Sequence, residues 1–242
     1  TSLPNAAVAV VGDSLTLGAQ LEITATLSGL GLGVVEIDGQ VSRRMTSSTD
    51  TIRSGLDVVQ EIAAAASPRI WVIALGTNDV ASGSSAGSIR DSVERVLAAI
   101  PPDALVVWVD TWIRDERDAV VAGNLIIRGV VAQRPGAVVA DFFSYGDDPG
   151  IVGGDGVHLT AAGRTLFANV MANGIADVLG RNPLFDLGSA TTTLAPIVTD
   201  PVAAPPAATT IAASTTTSTT DVGTTTTTSA TSATSTTTTT TV

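Results

Sequence analysis

Short, uninterrupted runs of apolar residues recur along the chain, and each run ends in a polar turn rich in Gly, Asp or Pro. Runs of this kind, without alternation of apolar and polar residues, are typical of strands that are buried on both faces of a parallel sheet. We therefore predict five strands, at Ala6–Val11, Gly33–Ile37, Ile70–Leu75, Leu105–Val109 and Ala137–Ala140.

The segments between these runs carry apolar residues at helical spacing. In one of them Ile52, Leu56, Val59 and Ile62 share a helix face. We predict helices at Leu15–Leu30, Asp50–Ala66, Ser88–Ile100, Ala119–Gln133 and Thr160–Leu179, with Asp50 as an N-cap and Ser88 and Asp91 in a capping box. Strands that alternate with helices predict an α/β domain with a parallel sheet covered on both faces.

The composition changes abruptly near Gly188, which divides the chain into residues 1–188 and residues 189–242. The second part is close to half Thr, with Ser and Pro, no aromatic residue, and only Asp200 and Asp221 charged. It buries too little apolar surface to offset the entropy of ordering it, so we predict a disordered tail. Such tracts occur as O-glycosylated stalks and as unmodified linkers. Either alternative favours an extracellular or cell-surface location, with association to a cell wall or surface through the tail.

Charge and residue usage exclude several classes of function. With 12 Lys+Arg and 23 Asp+Glu the net charge is −11, the opposite of what a nucleic-acid or anionic-membrane surface needs. The absence of Cys and the single His exclude thiolate catalysis and two-His metal sites, so we expect neither metal nor cofactor. No apolar run reaches the roughly 18 residues of a membrane span. The chain begins at Thr1 without a leader pattern, so we expect any signal peptide to precede this sequence.

Ser14 is the first candidate for chemistry, because ligands bind at the carboxyl ends of the strands in such sheets. It follows the first strand in the turn Gly12-Asp13-Ser14-Leu15 and begins a helix. At that position its hydroxyl is exposed, and the amino end of the helix stabilises negative charge. The structural alternative is that Asp13 and Ser14 only cap the helix.

His158 is the candidate base that a serine nucleophile requires. It lies in the loop before the last helix, in Asp155-Gly156-Val157-His158. On a turn, this spacing brings the carboxylate of Asp155 to Nδ1 of the imidazole, where it fixes the tautomer and stabilises the imidazolium.

Asn78 follows the third strand in Gly76-Thr77-Asn78-Asp79. Its side-chain amide is a candidate donor to a developing oxyanion, and the alternative is an Asx turn that shapes the loop. Asp79 is better interpreted as a residue of loop structure or capping.

These three sequence blocks together resemble the first, third and fifth motif blocks of the SGNH (GDSL-type) hydrolase superfamily. The resemblance covers residues 6–180 and implies a flavodoxin-like three-layer α/β/α sandwich with a five-stranded parallel sheet. It implies Ser14 as the nucleophile, His158 as the base and Asp155 as its orienting carboxylate. It also implies that the Ser14 backbone N–H and Asn78 are oxyanion donors.

The loop after the second strand, Asp38-Gly39-Gln40-Val41-Ser42-Arg43-Arg44, departs from the family, whose second block uses a Gly backbone N–H. We expect the Ser42 N–H to be the donor, with Gly39 as the second choice. The loop is similar to that of SGNH domains in bacterial cell-surface acyltransferases. Arg43 or Arg44 is a candidate contact for an anionic substrate group, against the alternative of a solvated side chain.

Trp112, after the fourth strand, is a candidate platform for a sugar or acyl group, against the alternative of packing on a neighbouring loop. The expected function is a serine esterase acting on short acyl esters, with a small-molecule or glycan ester as its partner. The alternatives are an O-acyltransferase acting on a cell-surface glycan and a non-catalytic binding module on a stalk.

Overall fold

The five predicted strands form one sheet in the computed structural model, which describes residues 6–187. The tail predicted for residues 189–242 lies outside the described residues. The strands are β1 (Ala7–Gly12), β2 (Gly33–Gly39), β3 (Ile70–Ala74), β4 (Leu105–Val109) and β5 (Ala137–Ala140). They run parallel in the order β2-β1-β3-β4-β5, which is the order of flavodoxin-like sheets.

Seven α-helices connect and follow these strands within the described residues. They are α1 (Ser14–Gly18), α2 (Gln20–Gly29), α3 (Gly55–Ala65), α4 (Thr77–Ala81), α5 (Ala86–Ala99), α6 (Arg117–Val131) and α7 (Ala161–Val178). Helices α2 and α7 pack together on one face of the sheet, and α3, α5 and α6 pack on the other. The predicted three-layer α/β/α architecture is confirmed.

Local capping chemistry sets several helix boundaries differently from the prediction. Helix α3 begins after Ser54, not at Asp50, because Ser54 and Asp57 form a reciprocal capping box. Helix α5 begins after Ser85, whose side chain accepts a hydrogen bond from the Ser88 N–H, so Ser88 lies inside the helix. The predicted first helix is divided into α1 and α2 at Ala19. Thr160 caps α7 as expected.

The core lies between the sheet and its two helical layers. Every side chain from Val8 to Val11 and from Val106 to Val109 is at most 1% exposed, which explains the continuous apolar runs. No helix among residues 6–187 is both long enough and apolar enough to cross a membrane.

Gly174 is a point of close approach between α7 and the sheet. A Cβ there would lie 2.6 Å from Cγ1 of Val107 and 3.0 Å from Cβ of Ala140. Gly129 in α6 is a matched contrast, since a Cβ there would meet no heavy atom within 4 Å.

We expect Gly174→Ala to lower the free energy of unfolding by about 1–3 kcal/mol, because the added methyl overpacks the contact between helix and sheet. Gly129→Ala should raise it by about 0.5–1 kcal/mol, because Ala favours an open helix position. Urea unfolding followed by circular dichroism measures both. An unchanged or raised free energy of unfolding in Gly174→Ala would show that the contact between α7 and the sheet does not require glycine at this position.

Candidate active site

Ser14 is the first residue of α1, directly after β1. The side chain of Asp13 caps this helix by accepting a hydrogen bond from the Leu15 N–H at 2.9 Å. The Ser14 N–H has no intrahelical partner, because the first N–H groups of a helix never do. Ser14 therefore presents a half-buried hydroxyl and a backbone donor at the carboxyl edge of the sheet.

The structure brings His158 and Asp155 to this hydroxyl. Nε2 of His158 lies 3.1 Å from Oγ of Ser14, and Nδ1 lies 2.7 Å from Oδ2 of Asp155. Both side chains are more than half exposed. The other Asp155 oxygen accepts the N–H groups of Val157 and His158, each at 3.0 Å. These groups form a continuous hydrogen-bonded chain from carboxylate through imidazole to hydroxyl.

Hydrogen bonds stabilise the ionised form of Asp155, which is also exposed to water. They lower its pKa from 3.8 to about 2. The Val157 backbone N–H has the largest effect, followed by the His158 side chain and then the His158 backbone N–H. A carboxylate that accepts several N–H bonds is stabilised in its charged form.

The loop that carries Asp155 and His158 is closed by its own hydrogen bonds. Gly153 N–H donates to the His158 carbonyl at 2.7 Å, and Thr160 N–H donates to the Ile151 carbonyl at 3.0 Å. Val152 and Leu159 pair in an isolated antiparallel bridge. The two ends of the loop are thereby held together.

Arg114, in the segment after β4, stabilises the loop of Asp155 and His158 by hydrogen bonds. The sequence did not indicate this role. The Arg114 backbone N–H donates to the Gly156 carbonyl at 3.0 Å, and its guanidinium donates to the Gly153 carbonyl at 3.2 Å. Gly156 has a φ of +76°, and a Cβ there would lie 2.9 Å from Cβ of Arg114. The Gly of the Asp155-Gly156 pair was the only signal in the sequence of such a close approach.

Asn78 lies in α4, on the same edge of the sheet as Ser14. Its Nδ2 donates to the Arg43 carbonyl at 3.0 Å. A primary amide has two hydrogens, so this bond orients the side chain and leaves one hydrogen for a ligand.

Ser42 occupies a turn closed by the Arg43 N–H, which donates to the Gln40 carbonyl at 3.3 Å. Its φ of +59° makes it the one non-Gly residue with positive φ among residues 6–187. Ser42 is exposed, and within that range its N–H makes no hydrogen bond to the protein. Gly39 lies earlier, at the end of β2, where a Cβ would be 2.4 Å from the Leu17 N atom. The close packing of α1 on β2 thus accounts for the Gly at position 39.

Two buried carboxylates lie close to these groups. Asp79 accepts the Met45 N–H at 3.0 Å, which agrees with its interpretation as a residue of loop structure, and burial raises its pKa. Asp13 is 1% exposed, and burial raises its pKa to about 6.

The expectation that Trp112 is a substrate platform was wrong, because the side chain is 1% exposed. Its ring packs edge-on against Phe143 at 5.3 Å between centroids. The Arg117 guanidinium covers the ring at 5.1 Å, and a Cβ at Gly146 would lie 2.1 Å from it. Trp112 therefore packs on a neighbouring loop, the alternative left open by the sequence.

The expectation that Arg43 meets substrate was also wrong, because this side chain too is 1% exposed and bonds inside the protein. Arg44 is partly exposed, lies 3.7 Å from Asp79 and donates to the Ser84 hydroxyl. No group of three or more His, Asp or Glu side chains within residues 6–187 is arranged to hold a metal ion.

Several solved structures are similar to this chain. The C-terminal catalytic domain of Streptococcus pneumoniae peptidoglycan O-acetyltransferase A (OatA), with a methylsulfonyl adduct, is 18% identical with a TM-score of 0.58, over 75% of this chain and 99% of that one. The psychrotrophic esterase EstA from Pseudoalteromonas sp., inhibited by monoethylphosphonate, is 14% identical with a TM-score of 0.58, over 74% and 100%. A GDSL-like lipase from Bacteroides thetaiotaomicron is 19% identical with a TM-score of 0.50, over 72% and 89%.

No family model and no curated protein sequence matches the chain. The likeness therefore rests on structure. On this ground the chain has the fold of the SGNH (GDSL-type) hydrolases.

Proposed function

We propose that this chain is a serine esterase that hydrolyses short acyl esters, acetyl esters among them, of carbohydrates or other small molecules. The observation that carries the proposal is the hydrogen-bonded chain from Asp155 through His158 to Ser14, with distances of 2.7 Å and 3.1 Å. A serine hydroxyl becomes an effective nucleophile only beside such an oriented base.

In the proposed mechanism Oγ of Ser14 attacks the ester carbonyl while Nε2 of His158 takes its proton. Asp155 holds the other imidazole nitrogen and stabilises the imidazolium. The N–H groups of Ser14 and Ser42 and the free amide hydrogen of Asn78 bind the oxyanion of the tetrahedral intermediate. One such donor is typically worth about 100- to 1,000-fold in rate.

His158 then protonates the leaving alcohol, and the acyl group remains on Ser14 as an ester. A water molecule, deprotonated by His158, attacks this acyl-serine through a second tetrahedral intermediate. The carboxylic acid departs, and the proton returns to Oγ of Ser14.

The preference for short acyl chains is supported by where the large apolar side chains lie. Phe142, Phe143, Phe167 and Trp112 are each at most 1% exposed. They are engaged in the core and are not free to line a long acyl channel.

An O-acyltransferase acting on a cell-surface glycan is the second candidate. It is supported by the similar fold of the peptidoglycan O-acetyltransferase domain. The two candidates share every step up to the acyl-serine and differ only in whether water or a sugar hydroxyl accepts the acyl group.

We expect Ser14→Ala and His158→Ala each to lower kcat at least about 1,000-fold on p-nitrophenyl acetate, and the double variant to be no worse, because the two residues act as a unit. Assays from acetate to octanoate should show a maximum at short chains. Ser28→Ala, which changes an exposed serine of α2, is the control. Full activity in Ser14→Ala would overturn the proposal.

Asp155→Asn should lower kcat about 100- to 10,000-fold, because an amide in that place favours the wrong imidazole tautomer. Since the pKa of Asp155 is about 2, this carboxylate is ionised from pH 5 to pH 9, and the loss should be present throughout that range. The lowered pKa stabilises the fold above pH 3.8, and this contribution is lost as the pH falls through 2. The difference in free energy of unfolding between wild type and variant should therefore shrink only in that acid range.

Measurements of kcat and of urea unfolding across pH test this prediction. Asp50→Asn, which changes an exposed carboxylate, should alter neither quantity. A kcat for Asp155→Asn within tenfold of the wild type would exclude the orienting role.

The esterase proposal predicts that acetate release from an acetyl donor exceeds acetyl transfer at every concentration of added glycan acceptor. Mass spectrometry of the glycan and titration of the acid measure this partition. Transfer that dominates at millimolar acceptor would select the acyltransferase.

A further inference from the structure

Arg43 is buried, yet all five of its guanidinium N–H groups are satisfied. Its side chain is 1% exposed. The acceptors are four oxygens at 2.7–3.0 Å and one at 3.1 Å, namely the carbonyls of Gly12, Asp38 and Arg53, Oδ1 of Asp38 and Oε1 of Gln40. These five hydrogen bonds and the surrounding protein fix the orientation of the guanidinium.

The residues bonded to Arg43 connect it to all three proposed oxyanion donors. Its guanidinium binds the Gly12 carbonyl at 2.9 Å, at the end of β1 and two residues before Ser14. Its own carbonyl accepts the Asn78 amide at 3.0 Å. Arg43 also directly follows Ser42 in the chain. A single residue thereby links the segments that carry the three donors.

Ser42 needs such a support because of its backbone conformation. A φ of +59° is unfavourable for a residue with a Cβ and persists only where the surroundings impose it. The Arg43 N–H closes the turn around Ser42, and the Arg43 side chain binds Gln40 on the other side of that turn.

We propose that Arg43 is a positioning residue that sets the geometry of the oxyanion hole by fixing the Ser42 N–H and the Asn78 amide relative to Ser14. The proposal rests on the proposed esterase function. Arg43 does not contact the substrate. It affects the reaction rate only through the position of the oxyanion donors.

Lysine cannot take the place of Arg43. A planar guanidinium presents five donors in a rigid fork, whereas an ammonium presents three on a flexible stem. The carboxylate of Asp38, at 2.7 Å, balances the buried charge, so a neutral replacement would leave Asp38 without this partner.

The test compares Arg43→Lys with Arg134→Lys in the full chain. Arg134 also binds backbone carbonyls, those of Leu97, Ile100, Pro101 and Ala104. These carbonyls precede β4, at the opposite edge of the sheet from Ser14. Arg134→Lys therefore changes an arginine that binds backbone carbonyls away from the candidate site. Both proteins are assayed on p-nitrophenyl acetate at a temperature at which circular dichroism shows them folded.

We expect Arg43→Lys to lower kcat about 10- to 100-fold. This is less than the loss of about 100- to 1,000-fold that follows removal of one oxyanion donor, because the donors remain but are misaligned. KM should stay within about threefold and the pH profile should keep its shape, because binding and the base are untouched. Arg134→Lys should keep the wild-type kcat. Gln40→Ala, which removes a single acceptor, should lower kcat in the same direction but less, and it serves as the test if Arg43→Lys does not fold.

Adding Ser42→Gly to Arg43→Lys should recover part of the lost kcat, because Gly adopts positive φ without support. Amide hydrogen exchange of residues 38–46 should be faster in Arg43→Lys than in the wild type, relative to the rest of the chain. A folded Arg43→Lys with wild-type kcat, a loss confined to KM, or no recovery by Gly would overturn the proposal. If the wild type hydrolyses no ester, the esterase function fails, and the exchange measurement still tests whether Arg43 holds the loop.

Discussion

The parallel pairing of β1 with β2 on one side and β3 on the other is the constraint on which the rest of the structure depends. Gly12 ends β1 opposite Gly39 and Ala74, which lie at the ends of β2 and β3. The three chain segments that follow these strands therefore begin next to one another at the carboxyl edge of the sheet. The loops that follow carry Ser14, Ser42 and Asn78, so groups distant in sequence meet because of the register of three strands.

Much of this arrangement follows from local sequence. Strands buried on both faces must be apolar throughout, so each appears in the sequence as an apolar run. Asp155 and His158 lie on one short turn, and their spacing brings the two side chains together. The burial of Arg43 was not predicted, because its acceptors come from three separate stretches of the chain, at Gly12, at Asp38 and Gln40, and at Arg53, which meet only after folding. The burial of Trp112 was not predicted for the same reason. The Phe143 ring that packs against it lies in the segment after β5, distant in sequence.

The aspartates of the site show how environment decides the state of one residue type. Asp155 is exposed and accepts backbone N–H groups, so its pKa falls to about 2. Asp13 directly precedes Ser14 in the chain and is buried, and removal from water raises its pKa to about 6. Desolvation and hydrogen bonding act in opposite directions. The two residues are identical in the sequence, and only the three-dimensional structure gives them different pKa values.

The loop of residues 151–160 is closed by a few exposed hydrogen bonds, whereas the strands beneath Ser14 are buried. Segments of this kind open by themselves far more often than a whole domain unfolds. When the loop opens, His158 leaves Ser14 while every strand stays paired. In the proposed esterase, loss of activity and denaturation are therefore distinct events, and a molecule whose loop has opened recovers its activity without refolding.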